Sequence, residues 1–264
     1  MWKESEKKPI AKFLIITFLI SWGAEFLAYG IEKTGIVPDV ALKVIVMSLV
    51  AFFGALAPGV TVYILLKKAG KISGWKDYLK RVFDRKGKGV FWLTLISVFT
   101  VWIVAVALTE EHQQDMPYYL TPALLVFMIP GGGWEELGWR GFLQPALEEK
   151  MPFPLATLLM GCIWSVWHLP LWLLQSATQK NFSFFAFALY CITFSFLLAI
   201  TYYLTQSVFA AILLHAWGNT TCGGIFTYHV LEYGPTMLNL ICFVIIIVGS
   251  MIVYYLRRKC YVIG

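Results

Sequence analysis

Residues 182–204 read FSFFAFALYCITFSFLLAITYYL, 23 positions without one Asp, Glu, Lys or Arg. Wound as an α-helix at about 1.5 Å per residue, such a run reaches roughly 34 Å, enough to cross a hydrocarbon layer about 30 Å thick. Outward along the chain the same signature recurs at about 10–30, 41–66, 89–109, 118–148, 153–178, 207–226 and 236–256, which makes eight candidate spans in all. Composition agrees. Of 264 residues, 59% are hydrophobic and 14% charged, too little polar surface to solvate one globular domain. Soluble, disordered and fibrous classes are excluded. The expected fold is all-α, a polytopic membrane protein with about eight transmembrane helices. No fixed-period repeat or low-complexity linker divides residues 1–264, so one domain is expected.

Charge then sets orientation. The 21 Lys and Arg against 15 Asp and Glu give a formal +6. Alternating the spans puts 18 basic residues on one face: Lys3, Lys7, Lys8 and Lys12, nine from Lys67 to Lys88, Arg140, Lys150, and Arg257, Arg258 and Lys259. The other face holds Lys33, Lys43 and Lys180 with Glu32, Asp39, Glu110, Glu111, Asp115 and Glu232. The positive-inside rule then predicts an integral cell-membrane protein with both termini cytoplasmic. No small-residue cleavage pattern follows the first span, which is expected to be retained. No basic stripe with stacking aromatics suggests a nucleic-acid partner; membrane lipids are the expected surroundings. Between Lys67 and Lys88, Ile72, Trp75, Tyr78, Leu79, Val82 and Phe83 at helical spacing alternate with basic residues, predicting an amphipathic helix on the membrane surface. Cys162, Cys191, Cys222, Cys242 and Cys260 form no C-x-x-C pair and read as small core residues.

An ionisable group at membrane depth is costly unless paired or hydrated, so the spans that contain one locate the chemistry. Span four carries Gly131-Gly132-Gly133-Trp134-Glu135-Glu136-Leu137-Gly138-Trp139-Arg140, span five Trp164-Ser165-Val166-Trp167-His168-Leu169-Pro170, and span seven His215-Ala216-Trp217-Gly218-Asn219. The turn between spans four and five falls near Lys150, so Glu135 and His168 are expected at similar height in one hairpin. Glu136 and Arg140, four apart in acid-before-base order, suit an internal ion pair. Glu135, turned about 100° away, is left to face the imidazoles. Pro130 and the glycines should break the helix before it, leaving amide donors nearby. Trp164 packs beside His168, Pro170 kinks the helix after it, and His215 and Asn219 share a face. Glu25 is expected to reach the interface or pair with a helix neighbour. His112 should lie in a solvated acidic loop, and His229 has no evident partner.

The order E-E-x-x-x-R, W-x-x-x-H, H-x-x-x-N, each on its own span between Gly133 and Asn219 in a motif core of 131–219, resembles the CPBP intramembrane protease family. That family includes the type II CAAX prenyl endopeptidases, bacteriocin-processing and Abi-like members. Trp164 stands where Phe is common. The resemblance implies that Glu135 is the catalytic glutamate, that His168 helps it activate water, that His215 and Asn219 support the attacked carbonyl, and that Glu136 and Arg140 hold the motif helix.

Peptide hydrolysis needs a deprotonated water, a proton donor for the amine and a stabilised oxyanion, and these residues supply all three. The substrate class is a peptide or protein at the membrane, either a lipidated CAAX-type chain or a leader or signalling precursor. No cofactor is required by this scheme; Glu135, His168 and His215 could instead hold Zn2+ with an open water position, a metalloendopeptidase reading. Other classes are a catalytically silent scaffold or immunity protein of the same fold, a proton-coupled transporter using the Glu and His cluster, and a cytochrome with His168 and His215 as axial ligands.

Overall fold

The computed structural model describes residues 9–35, 39–83 and 88–263. Lys3, Lys7, Lys8, Arg85 and Lys86 lie outside the described residues, as do the side chains of Lys43, Lys88, Lys259 and Cys260. The helices are α1 (Ile10–Thr34), α2 (Asp39–Leu49), α3 (Ala57–Lys68), α4 (Trp75–Val82), α5 (Lys88–Thr109), α6 (Thr121–Met128), α7 (Glu136–Gly138), α8 (Gln144–Glu148), α9 (Phe153–Trp167), α10 (Phe184–Thr205), α11 (Val208–Thr221), α12 (His229–Glu232) and α13 (Met237–Ile263). Among the described residues no strand forms, only isolated bridges of Phe226 with His112 and Cys222.

Among the described residues five helical stretches are long and apolar enough to cross a bilayer: Ile10–Thr34, Gly89–Thr109, Phe153–Leu173, Phe184–Thr205 and Met237–Arg258. The remaining three expected spans take other forms. Residues 41–66 run through α2, a π-turn at Val50–Gly54 and α3. Residues 118–148 pass through α6, a 3-10 turn at Gly133–Glu135, α7, a π-turn at Trp139–Leu143 and α8. Span seven becomes the 14-residue α11. Proline and glycine cause much of this, since Pro130 offers no amide and the three glycines that follow weaken any helix.

The most enclosed of these five long spans is α10, buried from Phe194 through Thr201 and packed against α9, α13, α5 and α11. Its start is capped by Ser183 Oγ accepting from the Ala186 amide (3.4 Å), and it ends on Gln206 in the left-handed region (φ 51). Ser207 caps α11 in the same way through the Ala210 amide (3.4 Å). Two side-chain oxygens thus take up amides left over at the helix starts.

On the far loops the expected solvated acidic segment is different. Glu110 is buried and accepts from Thr227 Oγ1 (2.8 Å) and from the amides of His229 (2.7 Å) and Val230 (2.9 Å). One carboxylate caps α12 and ties the end of α5 to the loop before α13. His229 is fixed there through its backbone, and its ring lies 5.4 Å from that of Tyr233.

Against the broken span four lies α3. A Cβ on Gly59 would stand 2.8 Å from Leu137 Cδ1, and one on Gly138 would stand 2.3 Å from Pro58 Cβ and 2.7 Å from its backbone carbon. At Gly138 the neighbour is the proline ring and its backbone, with no flexible side-chain end to yield. Gly138→Ala is therefore expected to cost about 1–3 kcal/mol by overpacking, read as a lower Tm in detergent; an unchanged Tm would show that α3 moves aside freely.

Candidate active site

The break at Pro130–Gly133 closes on itself, with the Trp134 amide donating to Ile129 O (3.0 Å) and the Glu135 amide to Gly132 O (2.9 Å). This tight turn delivers Glu135 and Glu136 into the bundle on different sides, 5% and 0% exposed.

Glu136 is the more heavily engaged. Its Oε2 lies 3.0 Å from Arg140 Nη1, and its Oε1 lies 2.8 Å from His215 Nδ1. Arg140 also donates from Nη2 to the carbonyl of Ser195 (3.3 Å). The expected ion pair is present, and Glu136 takes besides it a hydrogen bond from an imidazole that was expected to face Glu135. A carboxylate only accepts, so His215 donates from Nδ1 and its Nε2 is left for other work. The motif, α10 and α11 are locked by this one network.

Glu135 Oε2 accepts from Trp164 Nε1 (2.7 Å) and Trp139 Nε1 (3.3 Å). The hairpin register therefore puts Trp164, one turn before His168, opposite Glu135. Trp164 does more than pack, since its ring lies 5.6 Å from the His168 ring and 5.3 Å from the His215 ring, edge-on to both. His168 ends α9, where Pro170 turns the chain into a 3-10 segment at Leu169–Leu173. Its Nδ1 lies 2.8 Å from the Trp164 carbonyl. A carbonyl cannot donate, so Nδ1 carries the proton and Nε2 faces away from that bond.

Asn219 and His215 converge on the glycine turn. A Cβ on Gly132 would fall 2.4 Å from Asn219 Nδ2 and 3.1 Å from His215 Nε2. Only a glycine lets the turn pass so close. His168 and Asn219 are half-buried while Glu135 and His215 lie deeper, so the centre keeps some exposure at His168 and Asn219.

Sequence reasoning missed Trp139, Gly132 and the Ser195 carbonyl as partners. Glu25 also departs from expectation. It is 2% exposed rather than at an interface, its Oε2 has no hydrogen-bond partner, and Oε1 would lie 3.6 Å from a Cβ on Gly54.

The three candidate zinc ligands do not make a ligand set. Among the described residues no three His, Cys, Asp or Glu side chains are gathered to hold a metal, and the oxygen of Glu135 nearest the imidazoles' indole neighbour is already taken by two donors.

An all-helical membrane chain whose polar residues meet at the break of one hairpin defines the class: an integral membrane protein with a buried acid–imidazole centre. Comparison with known proteins narrows it. Residues 117–221 match the family described as type II CAAX prenyl endopeptidase Rce1-like, a stretch that holds Glu135, Glu136, Arg140, Trp164, His168, His215 and Asn219. The chain is also similar to CAAX prenyl protease 2 of Methanococcus maripaludis, 21% identical over 191 residues that make up 67% of this chain and 66% of the relative. Both findings support the resemblance to the CPBP intramembrane protease family.

Proposed function

We propose that this protein is an intramembrane endopeptidase that hydrolyses a peptide bond of a membrane-associated substrate with water activated by Glu135 and His168. The observation that carries the reading is the seating of two differently employed acids in one turn. Glu136 is consumed by Arg140 and His215, whereas Glu135 is held only by indole N–H groups. An indole donor orients a carboxylate without neutralising its charge, which leaves Glu135 able to take a proton from water.

In this mechanism His168, with Nδ1 fixed on the Trp164 carbonyl, uses Nε2 to orient the water and pass the proton to the leaving amine. Asn219 Nδ2 donates to the developing oxyanion, and His215, anchored through Nδ1 on Glu136, donates from Nε2 to the same place once that nitrogen has taken up a proton. Preorganised donors of this kind are worth about 2.7–4 kcal/mol each in the transition state. We further assign eight membrane-crossing segments, counting the interrupted 41–66 and 118–148 and the short 207–226, with both termini cytoplasmic. The substrate class is a CAAX-type chain with a lipidated cysteine, suggested by the name of the Methanococcus relative, or else a leader or signalling peptide.

Reconstituted protein offered one peptide sequence with and without a prenylated cysteine decides between these. Cleavage confined to the prenylated form is the expected result. Equal cleavage of both removes the lipid requirement, and absence of cleavage for every membrane peptide tried removes the hydrolase reading.

A further inference from the structure

Helix α4 contributes no side chain to the acid–imidazole centre, yet it is fastened to elements that do. With about 100° between successive residues, Trp75, Leu79 and Phe83 form one ridge, and they are 49%, 43% and 51% exposed. On one flank of the ridge Tyr78 and Val82 are buried in the bundle; on the other Lys76 and Lys80 are exposed. The acid of the helix is answered locally, because Arg81 Nε donates to Asp77 Oδ1 (3.1 Å) and the Ser73 amide, just before the helix, to Oδ2 (3.1 Å). Those bonds hold the Asp77 carboxyl below its usual range. An exposed apolar ridge bordered by ammonium groups is the chemistry of the boundary between acyl chains and anionic headgroups.

Three contacts fasten this helix. Trp75 stacks on Tyr63 of α3 at 3.7 Å, Phe83 meets Phe209 in the first turn of α11 at 5.1 Å, and Tyr78 donates from its hydroxyl to the carbonyl of Gly59 (3.2 Å). Gly59 in turn is pressed on Leu137, the residue after the Glu135-Glu136 pair, with space too small for a Cβ. A shift of α4 against α3 is therefore felt at the turn that sets the acids, since packed cores pass displacement on rather than absorb it.

We propose that α4 docks on anionic lipid headgroups at the membrane surface and that this docking raises turnover at the acid–imidazole centre through Tyr78, Gly59 and Leu137. Its activity arm rests on the hydrolase reading; its docking arm does not. Anionic lipid favours the seated helix over a loosened one by whatever its headgroups gain from Lys76 and Lys80 in the seated state alone.

The full chain is placed in vesicles of phosphatidylcholine, or of phosphatidylcholine with about one third phosphatidylglycerol, enough to give an anionic surface. Amide hydrogen exchange over residues 75–83 and peptide turnover are read in both. Phosphatidylglycerol is expected to slow exchange in α4 and to raise turnover, each by up to about thirtyfold, the scale of two lysines at an anionic surface. A Lys76→Gln/Lys80→Gln variant should lose most of both responses relative to its own values in neutral vesicles. Tyr78→Phe should keep the exchange response and lose the turnover response.

Equal exchange in the two vesicle types, or a double-glutamine variant that responds like the wild type, overturns the docking. A Tyr78→Phe variant whose turnover still follows lipid overturns the route. If lipid slows exchange but no peptide is cut in any vesicle, the hydrolase reading fails together with the claimed rise in turnover, and the lipid surface alone stands.

Discussion

Glu135→Gln is expected to lower the turnover number for any cleaved peptide by about 10³-fold or more while leaving Tm within about 2 °C of wild type. Glutamine keeps an amide oxygen able to accept from both indoles, so the hydrogen bonds from Trp164 (2.7 Å) and Trp139 (3.3 Å) have a partner in the variant. What it lacks is the basic lone pair that takes the proton from water. Glu135→Ala is a poorer experiment, because it strands two indole N–H groups in a buried site at a cost of about 1–3 kcal/mol each, so lost activity would be mixed with lost fold. Single-turnover measurement on the glutamine variant separates chemistry from product release. Wild-type turnover by Glu135→Gln would remove the mechanism, leaving the resemblance to the CPBP family intact but pointing to a different base.

Much of this was legible in the sequence, for reasons that also mark where legibility stopped. An uncharged run such as 182–204 can only be a helix that avoids water, and α10 follows from it directly. The Glu136 and Arg140 pair follows from helical spacing alone, and the π-turn that begins at Trp139 comes too late to disturb it. The partner of Glu135 did not follow. Hairpin register read from a turn position carries an uncertainty of about one helical turn, and one turn is the separation of Trp164 from His168. Trp139, four after Glu135, was within reach of the same spacing rule that found Arg140. Glu25 was misread because a single acid on an apolar helix looks the same at an interface as under a neighbour. Its burial depends on the π-turn at Val50–Gly54 lying against α1, a tertiary fact. Glu110 shows the converse, an acid in an acidic loop whose three donors come from residues more than a hundred positions away.

The second large effect lies in the lock beneath the site. Removing Arg140 leaves the Glu136 carboxylate at zero exposure with His215 as its remaining partner and takes a donor from the Ser195 carbonyl. Breaking one side of a buried pair costs about 3–5 kcal/mol, more than the pair itself is worth over an apolar substitute. Arg140→Met is therefore expected to lower Tm strongly and to reduce the monodisperse fraction recovered in detergent. Glu136→Gln behaves differently. It spares the packing but gives His215 Nδ1 a side chain that can donate as well as accept, so the imidazole loses its fixed tautomer and the folded fraction should lose activity. A double-mutant cycle with Glu136→Gln and Arg140→Gln should return a coupling of about 1–3 kcal/mol, since each single change strands the other partner and the double change strands neither charge. A coupling near zero would mean that Arg140 is held by the Ser195 carbonyl and its packing rather than by Glu136. Glu136 would then serve His215 through the 2.8 Å bond to Nδ1, and Glu136→Gln rather than Arg140→Gln would be the substitution that disorders the imidazole.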